Sequence, residues 1–223
     1  VAGKPGLPDF IKALDLAACA LLIEVHGQSE EELVARCEQV MDMAAGFAQV
    51  ASVPFTTDSA GLWAIRKGLF PAVGAVRTTG TTVIIEDVAF PIERLAEGVA
   101  GLQALFDRFE YGEAIIFGHA LEGNLHFVFT QGFDDPAQVA RYGAFMDAVA
   151  ELVAVRFGGS LKAEHGTGRN MAPYVELEWG PEGMALMRRI KALLDPDGLL
   201  NPGVIINDDP KAHLAHLKPM PAS

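Results

Sequence analysis

The sequence is short of positive charge and has no long apolar run. Lysine and arginine number 17 against 29 aspartate and glutamate residues, for a formal net charge of −12. Nucleic-acid binding calls for a basic face, so this class of partner is disfavoured. The apolar runs fall short of the roughly 20 residues that cross a membrane. We therefore expect a globular protein that works in the cytoplasm.

The sequence also has few cysteines and lacks several recognisable motifs. The two cysteines, Cys19 and Cys37, lie in apolar stretches without metal-like spacing, so we expect buried free thiols in a reducing compartment. The chain does not begin with Met and its first residues lack a signal-peptide pattern, so we expect a fragment of a longer protein. Neither a Gly-x-Gly-x-x-Gly motif nor a phosphate loop is present, which places the binding of any nucleotide cofactor mostly elsewhere.

Half of the 223 residues are apolar, which is enough for a substantial core. Apolar and β-branched runs predict strands near 20–26, 49–55, 81–90, 113–119, 125–129 and 159–164. Helical spacing and capping residues predict helices after Ser29, near 58–70, from Pro91 to Phe109, from Asp135 and from about Pro181 to Leu194. A hairpin mixed with crossover helices predicts an α+β domain with an antiparallel or mixed sheet and helices packed on it. The polar, proline-rich residues 208–223 read as a linker.

Two histidines flank a short polar loop in the predicted hairpin. His119 would end one strand and His126 would lie in the next, so both imidazoles would sit near one end of adjacent strands. Side chains that face each other across paired strands are about 5 Å apart, and two imidazoles at that distance can bind the same metal ion. They can equally hydrogen-bond to the backbone or face solvent.

A carboxylate and an imidazole are adjacent where the predicted strand at 159–164 ends. Neighbours on a strand point to opposite faces, but a bend at Gly166 would turn Glu164 and His165 toward one cavity. Glu164 would then be a third metal ligand and His165 a general base. The alternative is a turn with two solvated polar residues.

Other polar residues give weaker signals. Arg66 lies in an apolar helix after Trp63, where it would either clamp a carboxylate or extend to the surface. Glu86 and Asp87 interrupt a β-branched strand. The segment 195–203 has the composition of a helix end followed by turns, which by itself requires no catalytic role.

Three ordered motifs give the chain a resemblance to a known family. They are Gly118-His-Ala-Leu-Glu-Gly-Asn-Leu-His126, Glu164-His-Gly-Thr-Gly168 and Asp195-Pro-Asp-Gly-Leu-Leu-Asn-Pro-Gly203. Together they resemble the C-terminal (cap) domain of FAD-linked oxidases of the vanillyl-alcohol-oxidase superfamily. The nearest branch contains D-lactate and D-2-hydroxyglutarate dehydrogenases. The resemblance implies a ferredoxin-like α+β substrate domain over residues 1–207 and an N-terminal FAD-binding domain elsewhere in the full-length chain.

The resemblance also implies a set of site residues. A divalent metal, usually zinc, would be held by His119, His126 and Glu164. The base would be His165. The remaining contacts would be Arg66 with the substrate carboxylate, Asn124 with the substrate and Asn201 near the flavin. The implied reaction oxidises a D-2-hydroxy acid, lactate-like, to the 2-oxo acid, with proton transfer to the base and hydride transfer to FAD.

The sequence departs from the family pattern at two places. Leu121 and Glu122 stand where the usual loop has Gly-Asp, and the strand at 83–87 lacks the lysine that some relatives use for substrate. The Glu122 variant and the tail resemble the larger members, in which an iron–sulfur domain follows. The resemblance does not identify the electron acceptor. Any peripheral contact of the protein with a membrane would be made through that acceptor.

Two other functions use the same residues. A metal-dependent hydrolase would activate water with His119, His126 and Glu164, although it would not need the segment 195–203. A non-catalytic module with a structural metal would need no flavin. For the isolated chain we expect a folded but inactive domain that exposes an apolar face and self-associates through it.

Overall fold

The computed structural model describes residue 9, residues 18–47 and residues 54–217. The chain divides into two compact units, Val1–Ala72 and Val73–Ser223. The polar residues of the hairpin and of the Glu164–His165 segment belong to the second unit, whereas Arg66 belongs to the first.

The first unit contains α1 (Glu30–Ala45) and α2 (Ala60–Lys67), and α3 (Leu69–Val76) begins in it. Ser29 caps α1 as predicted, because its hydroxyl accepts the backbone N–H of Glu32 at 3.2 Å. The predicted strand at 20–26 is wrong: a strand needs a hydrogen-bonded neighbour, and no described segment of this unit pairs with it. The predicted strand at 49–55 lies mostly outside the described residues.

The two cysteines do not fit the prediction of buried thiols. Cys19 is exposed and Cys37 is partly exposed, and both are free. An apolar neighbourhood in sequence therefore gave no burial: residues 18–29, which include Cys19, form neither helix nor strand, and α1, which carries Cys37, has no buried residue.

The second unit is built on an antiparallel sheet of three strands, which confirms the α+β class. Its strands are β1 (Thr82–Ala89), β2 (Ile115–His119) and β3 (Asn124–Gln131), in the order β1-β3-β2. The hairpin β2–β3 forms as predicted, and β3 lies in the centre. The helices α4 (Leu95–Arg108) and α5 (Pro136–Ala150) connect and follow the strands.

Aromatic side chains join these helices to the sheet. Phe106 of α4 and Phe145 of α5 pack on Phe127 and Phe129 of β3, with ring centroids 5.1–6.1 Å apart. The helical spacing predicted for α4 is confirmed, since Leu102 and Phe106 are buried and Leu95, Val99 and Phe109 pack on the core. In α5, the apolar residues Tyr142, Met146 and Val149 are buried at the same spacing. Asp135 caps α5 by accepting the N–H of Ala137 at 2.8 Å, and Pro136 occupies its first turn.

The last helix forms where it was predicted, and a shorter helical segment precedes it. Helix α6 spans Val175–Leu194 and bends at Gly180, whose φ is 71°. Gly180 adopts φ 71° and ψ 170°, a non-helical conformation that other residues avoid, and Pro181 has no N–H to donate, so this pair separates a first segment, 175–179, from the helix predicted at Pro181–Leu194. The helix ends at Leu194 as predicted, and Asp195 accepts the N–H groups of Leu199 and Leu200 in the turns that follow.

The strand predicted at 159–164 is reduced to one bridge between Ser160 and Ala89. Side-chain carboxylates replace the rest of the ladder. Glu178 accepts the N–H of Leu161 at 3.1 Å, and Asp87 accepts those of Glu164 and His165. The segment therefore bends away from the sheet edge just before the Glu164–His165 pair.

The residues beyond the predicted domain limit at 207 include a short packed turn. Ala212–Leu214 is a 3-10 turn in which Ala212 and His213 are buried. The Nε2 atom of His213 lies 3.2 Å from the hydroxyl of Tyr174, which donates to Asp147 at 2.8 Å. The division into a domain and a linker remains a prediction.

Candidate active site

The strand register places the predicted site residues on one face of the sheet. His126 of β3 pairs with Asp87 of β1 on one side and with Phe117 of β2 on the other. Directly opposed residues project to the same face, and so do residues two apart on a strand. Asn124 and His119, which also pair with each other, therefore join His126 on the face opposite the aromatic core.

The hairpin connection brings the chain back within a few residues. A 3-10 turn, Ala120–Glu122, leads to Gly123, whose φ is 65° and whose position leaves no room for a Cβ against the carbonyl oxygen of Phe90. Glycine is required there by both conformation and contact. Leu121 is 82% exposed, and Glu122 is also exposed, so the bulk that distinguishes this loop points to solvent.

A buried carboxylate holds the Glu164–His165 pair beside the hairpin. Asp87 is fully buried, and its Oδ2 accepts the backbone N–H of Glu164 at 2.6 Å and that of His165 at 3.2 Å. Gly166 follows with φ at 75°, which is the bend predicted from the sequence. Both side chains reach the hairpin histidines as a result.

Glu164 Oε1 lies close to both histidines of the hairpin. It lies 2.8 Å from His126 Nε2 and 3.7 Å from His119 Nε2. The ring of His165 stacks on the ring of His126, with centroids 5.0 Å apart and planes 16° from parallel. His126 is thus buried between Phe117 and His165, whereas His119 and Glu164 stay about half exposed.

Burial controls the charge of the central histidine. It lowers the pKa of His126, and the nearby carboxylate of Glu164 opposes this shift without reversing it. The imidazole is therefore neutral near pH 7, which is the form that binds metals.

The donor set fits a divalent metal. The nitrogens of His119 and His126 and the carboxylate oxygen of Glu164 form a two-histidine, one-carboxylate set, which is a common set for zinc. Ligand atoms of Asp87, His126, Glu164 and His165 also lie within 4.8 Å of one another. Among the described residues, His126 Nδ1 is buried without a hydrogen-bond partner. The residues present are compatible with the metal that the resemblance implies.

A second group of charged residues surrounds Glu86 on the other face of β1. Glu86 is buried on the aromatic side of β1, where Lys162 and Asn170 both donate to its carboxylate. Lys162 Nζ also lies 3.8 Å from Asp87 Oδ1. Burial raises the pKa of Glu86 above its usual range, and Lys162 opposes this shift.

The remaining predicted residues differ in their placement. Asn124 is buried at the start of β3; its Nδ2 donates to Val88 O at 3.5 Å, and its Oδ1 has no partner among the described residues. Asn201 is exposed with φ at 42°, in a turn whose next residue, Pro202, accepts from Arg169 at 3.4 Å. Arg66 is partly exposed on α2 of the first unit.

Sequence reasoning undervalued Asp87. The available signal was two successive carboxylates in a strand of β-branched residues, since an ionised group at a position that must be buried needs partners. Its partners follow it by 77 and 78 residues, so no local pattern pointed to them.

Comparison with known proteins now defines the class. The family described as FAD linked oxidases, C-terminal domain, matches residues 7–205, so the chain belongs to that family. The resemblance read from the three motifs is confirmed. Within residues 18–47 and 54–217, no helix combines the length and apolarity that a membrane crossing requires.

Several named relatives are similar over most of the chain. It is 32% identical over 200 residues to glycolate oxidase subunit GlcD of Escherichia coli, covering 87% of this chain and 39% of the relative. It is 31% identical over 210 residues to D-lactate dehydrogenase of Anaerostipes hadrus, covering 91% and 42%. It is 36% identical over 149 residues to D-2-hydroxyglutarate dehydrogenase of Xanthomonas citri, covering 65% and 30%. The chain thus spans about two fifths of the length of the first two.

Proposed function

We propose that this chain is the substrate-side domain of an FAD-dependent dehydrogenase that oxidises a D-2-hydroxy acid to the 2-oxo acid. The observation that carries the proposal is the convergence of His119, His126, Glu164 and His165 on one face of the sheet. Flavin oxidation of a 2-hydroxy acid needs a group that accepts the hydroxyl proton and groups that orient the substrate oxygens. The cluster offers both.

His165 is the proposed base. Its side chain is 40% exposed, so it is accessible to a substrate while its ring is fixed against His126. It would take the hydroxyl proton, while the hydrogen on the 2-carbon leaves as hydride. Asn124, with a buried amide oxygen free of protein partners among the described residues, would contact the substrate. Arg66 would bind the substrate carboxylate and Asn201 would lie near the flavin.

His119, His126 and Glu164 would hold the divalent metal, which we propose is zinc. When bound there, such an ion polarises substrate oxygens and favours loss of the hydroxyl proton. FAD, held mainly by a domain outside this chain, supplies the acceptor for the hydride. The neutral state of His126 and the exposed carboxylate of Glu164 support this assignment.

A short substrate with one carboxylate, such as D-lactate, is favoured. Lys162 is directed to the buried carboxylates of Glu86 and Asp87, and β1 carries no lysine. The relatives are named for glycolate, D-lactate and D-2-hydroxyglutarate, so these three acids are the compounds to compare.

The test is flavin reduction in the full-length protein that carries this chain. Mixed anaerobically with D-lactate, the bound flavin should lose its oxidised absorbance, and L-lactate serves as the control. We expect His165→Gln to slow reduction about 10²–10⁴-fold at unchanged flavin content. Equal rates in the wild type and His165→Gln would remove His165 from the mechanism. No reduction by any of the three acids would contradict the proposed function.

Other expectations stay predictions. They concern an iron–sulfur cluster in a C-terminal region, a cytoplasmic location, and contact with a membrane only through the electron acceptor. Membership of an oxidase family favours flavin chemistry over the hydrolase and over a purely structural metal module. The isolated chain should be inactive, because nothing in its sequence offers a phosphate-binding loop for FAD. Exposed leucine and isoleucine side chains at the end of α6 and beyond it support the predicted self-association: Leu186, Ile190, Leu193, Leu194, Leu199 and Leu200.

A further inference from the structure

We propose that Asp87 is the positioning residue of this site: it fixes the Glu164–His165 turn against the hairpin and selects which nitrogen of His165 faces the substrate. The inference rests on the proposed function for the role of His165. It does not depend on that function for the role of Asp87 in placing Glu164.

The first observation is how Asp87 divides its two oxygens. Oδ2 accepts two successive backbone N–H groups, those of Glu164 and His165, at 2.6 and 3.2 Å. These are consecutive N–H groups in a segment whose backbone pairing with β1 is the single bridge at Ser160. One buried carboxylate therefore holds both backbone N–H groups beside β1 and sets where both side chains start.

The second observation concerns the other oxygen. Asp87 Oδ1 is buried, has no hydrogen-bond partner among the described residues, and lies 3.5 Å from His165 Nδ1. A carboxylate at that distance favours the tautomer in which Nδ1 carries the hydrogen. His165 Nε2 is then left as the atom that accepts a proton.

A role as metal ligand fits Asp87 less well. Its Oδ2 is already occupied by two N–H donors, and Lys162 Nζ lies 3.8 Å from its Oδ1. A divalent cation bound by Oδ1 would meet the ammonium of Lys162 at close range, and like charges repel. His119, His126 and Glu164 carry no such neighbour in the described contacts.

Asp87→Asn separates the two parts of the role. The amide oxygen can still accept the N–H groups of Glu164 and His165, so the turn is kept. The amide N–H₂ group then replaces Oδ1 beside His165 Nδ1, and it favours the tautomer in which Nδ1 accepts and Nε2 carries the hydrogen. In this tautomer, Nε2 cannot accept the proton of the substrate. In the full-length protein, we expect kcat to fall about 10²–10⁴-fold while KM changes little, by analogy with the loss of the orienting carboxylate in serine proteases.

Asp87→Ala removes the turn as well. Zinc affinity, measured by competition with a chromophoric chelator, should fall about 10–100-fold, the usual cost of losing a group that orients metal ligands. Asp87→Asn should keep the zinc affinity of the wild type. The matched control is Glu86→Gln, which changes the next residue of the same strand and the same lysine contact but does not touch His165; its kcat and zinc affinity should stay within a few-fold of the wild type.

The outcomes distinguish the two proposals. Unchanged kcat in Asp87→Asn, in a protein that does reduce its flavin, would overturn the tautomer role. Equal losses in Asp87→Asn and Glu86→Gln would assign the effect to buried charge and also overturn it. If no hydroxy acid reduces the wild-type flavin, zinc affinity still decides: a loss in the folded Asp87→Ala variant supports the positioning of Glu164, and an unchanged affinity overturns it.

Discussion

The two faces of the central strand β3 are both mostly buried but carry different side chains, aromatic on one face and polar on the other. On the helix-covered face, Phe127 and Phe129 are fully buried among aromatic rings. On the other face, His126 is 5% exposed and Asp87 is fully buried, yet each keeps a polar atom without a hydrogen bond among the described residues. The alternation of β3 thus places the aromatic core residues and the residues of the candidate site on opposite faces, one residue apart.

The largest effect should come from emptying the apolar face. Phe127→Ala removes a ring that contacts Phe106, Phe129 and Phe145, and should lower the free energy of unfolding by about 3–5 kcal/mol. Urea denaturation measures the loss. Phe127→Leu, which keeps most of the volume, should lose clearly less. Zinc affinity of the protein that remains folded should be unchanged; a change would mean that the two faces are not independent.

A comparable loss of stability is expected when the buried carboxylate of Glu86, on the apolar face, loses its partner Lys162. Lys162→Met leaves the buried carboxylate of Glu86 without its cation, and should destabilise the fold by about 3–5 kcal/mol. The double variant Lys162→Met with Glu86→Gln should recover part of this, because the uncompensated charge is gone. Unfolding curves of the two single variants and the double variant give the coupling. Additive effects would show that Lys162 and Glu86 act separately.

Changes on the polar face should affect metal binding more than folding. His126→Ala should weaken zinc binding by more than about 100-fold, beyond the range for groups that only orient ligands. His119→Ala, at the exposed end of β2, should also lose affinity with less effect on unfolding, since its side chain is 53% exposed. His213→Ala is the control, as a buried histidine outside the cluster. Wild-type affinity in the double variant of His119 and His126 would reject this site.

The smallest effect is a pH dependence that the buried histidines share. Burial lowers the pKa of His213, with Asp147 and Asp209 opposing, so the folded state binds this proton less readily than the unfolded state. Stability is then complete above about pH 6.5 and falls as the pH drops toward the folded pKa, by at most about 1.4 kcal/mol per pH unit for each histidine. His213→Gln should flatten this slope in metal-free protein. An unchanged slope would assign it to other groups.

Local signals predicted the elements that depend on local physics. The cap at Asp135, the spacing along α4 and the hairpin around Gly123 are written within a few residues, and each is confirmed. The strand predicted at 159–164 failed because side chains distant in sequence took its N–H groups. Strand pairing and the partners of a buried carboxylate depend on residues far along the chain, which one sequence does not reveal.

The separation of the proposed ligands along the chain also sets the order in which they meet. His119 and His126 belong to one hairpin, which forms by local closure in about 1–10 μs. Glu164 joins them only when the segment beyond α5 returns to Asp87, a contact between residues 77 apart whose closure costs more chain entropy. We expect zinc to change the rate of the refolding step in which this contact forms, and stopped-flow measurements would detect the change. During synthesis, the two imidazoles emerge first, so the nascent chain carries both nitrogens of the proposed site before the carboxylate of Glu164 is made.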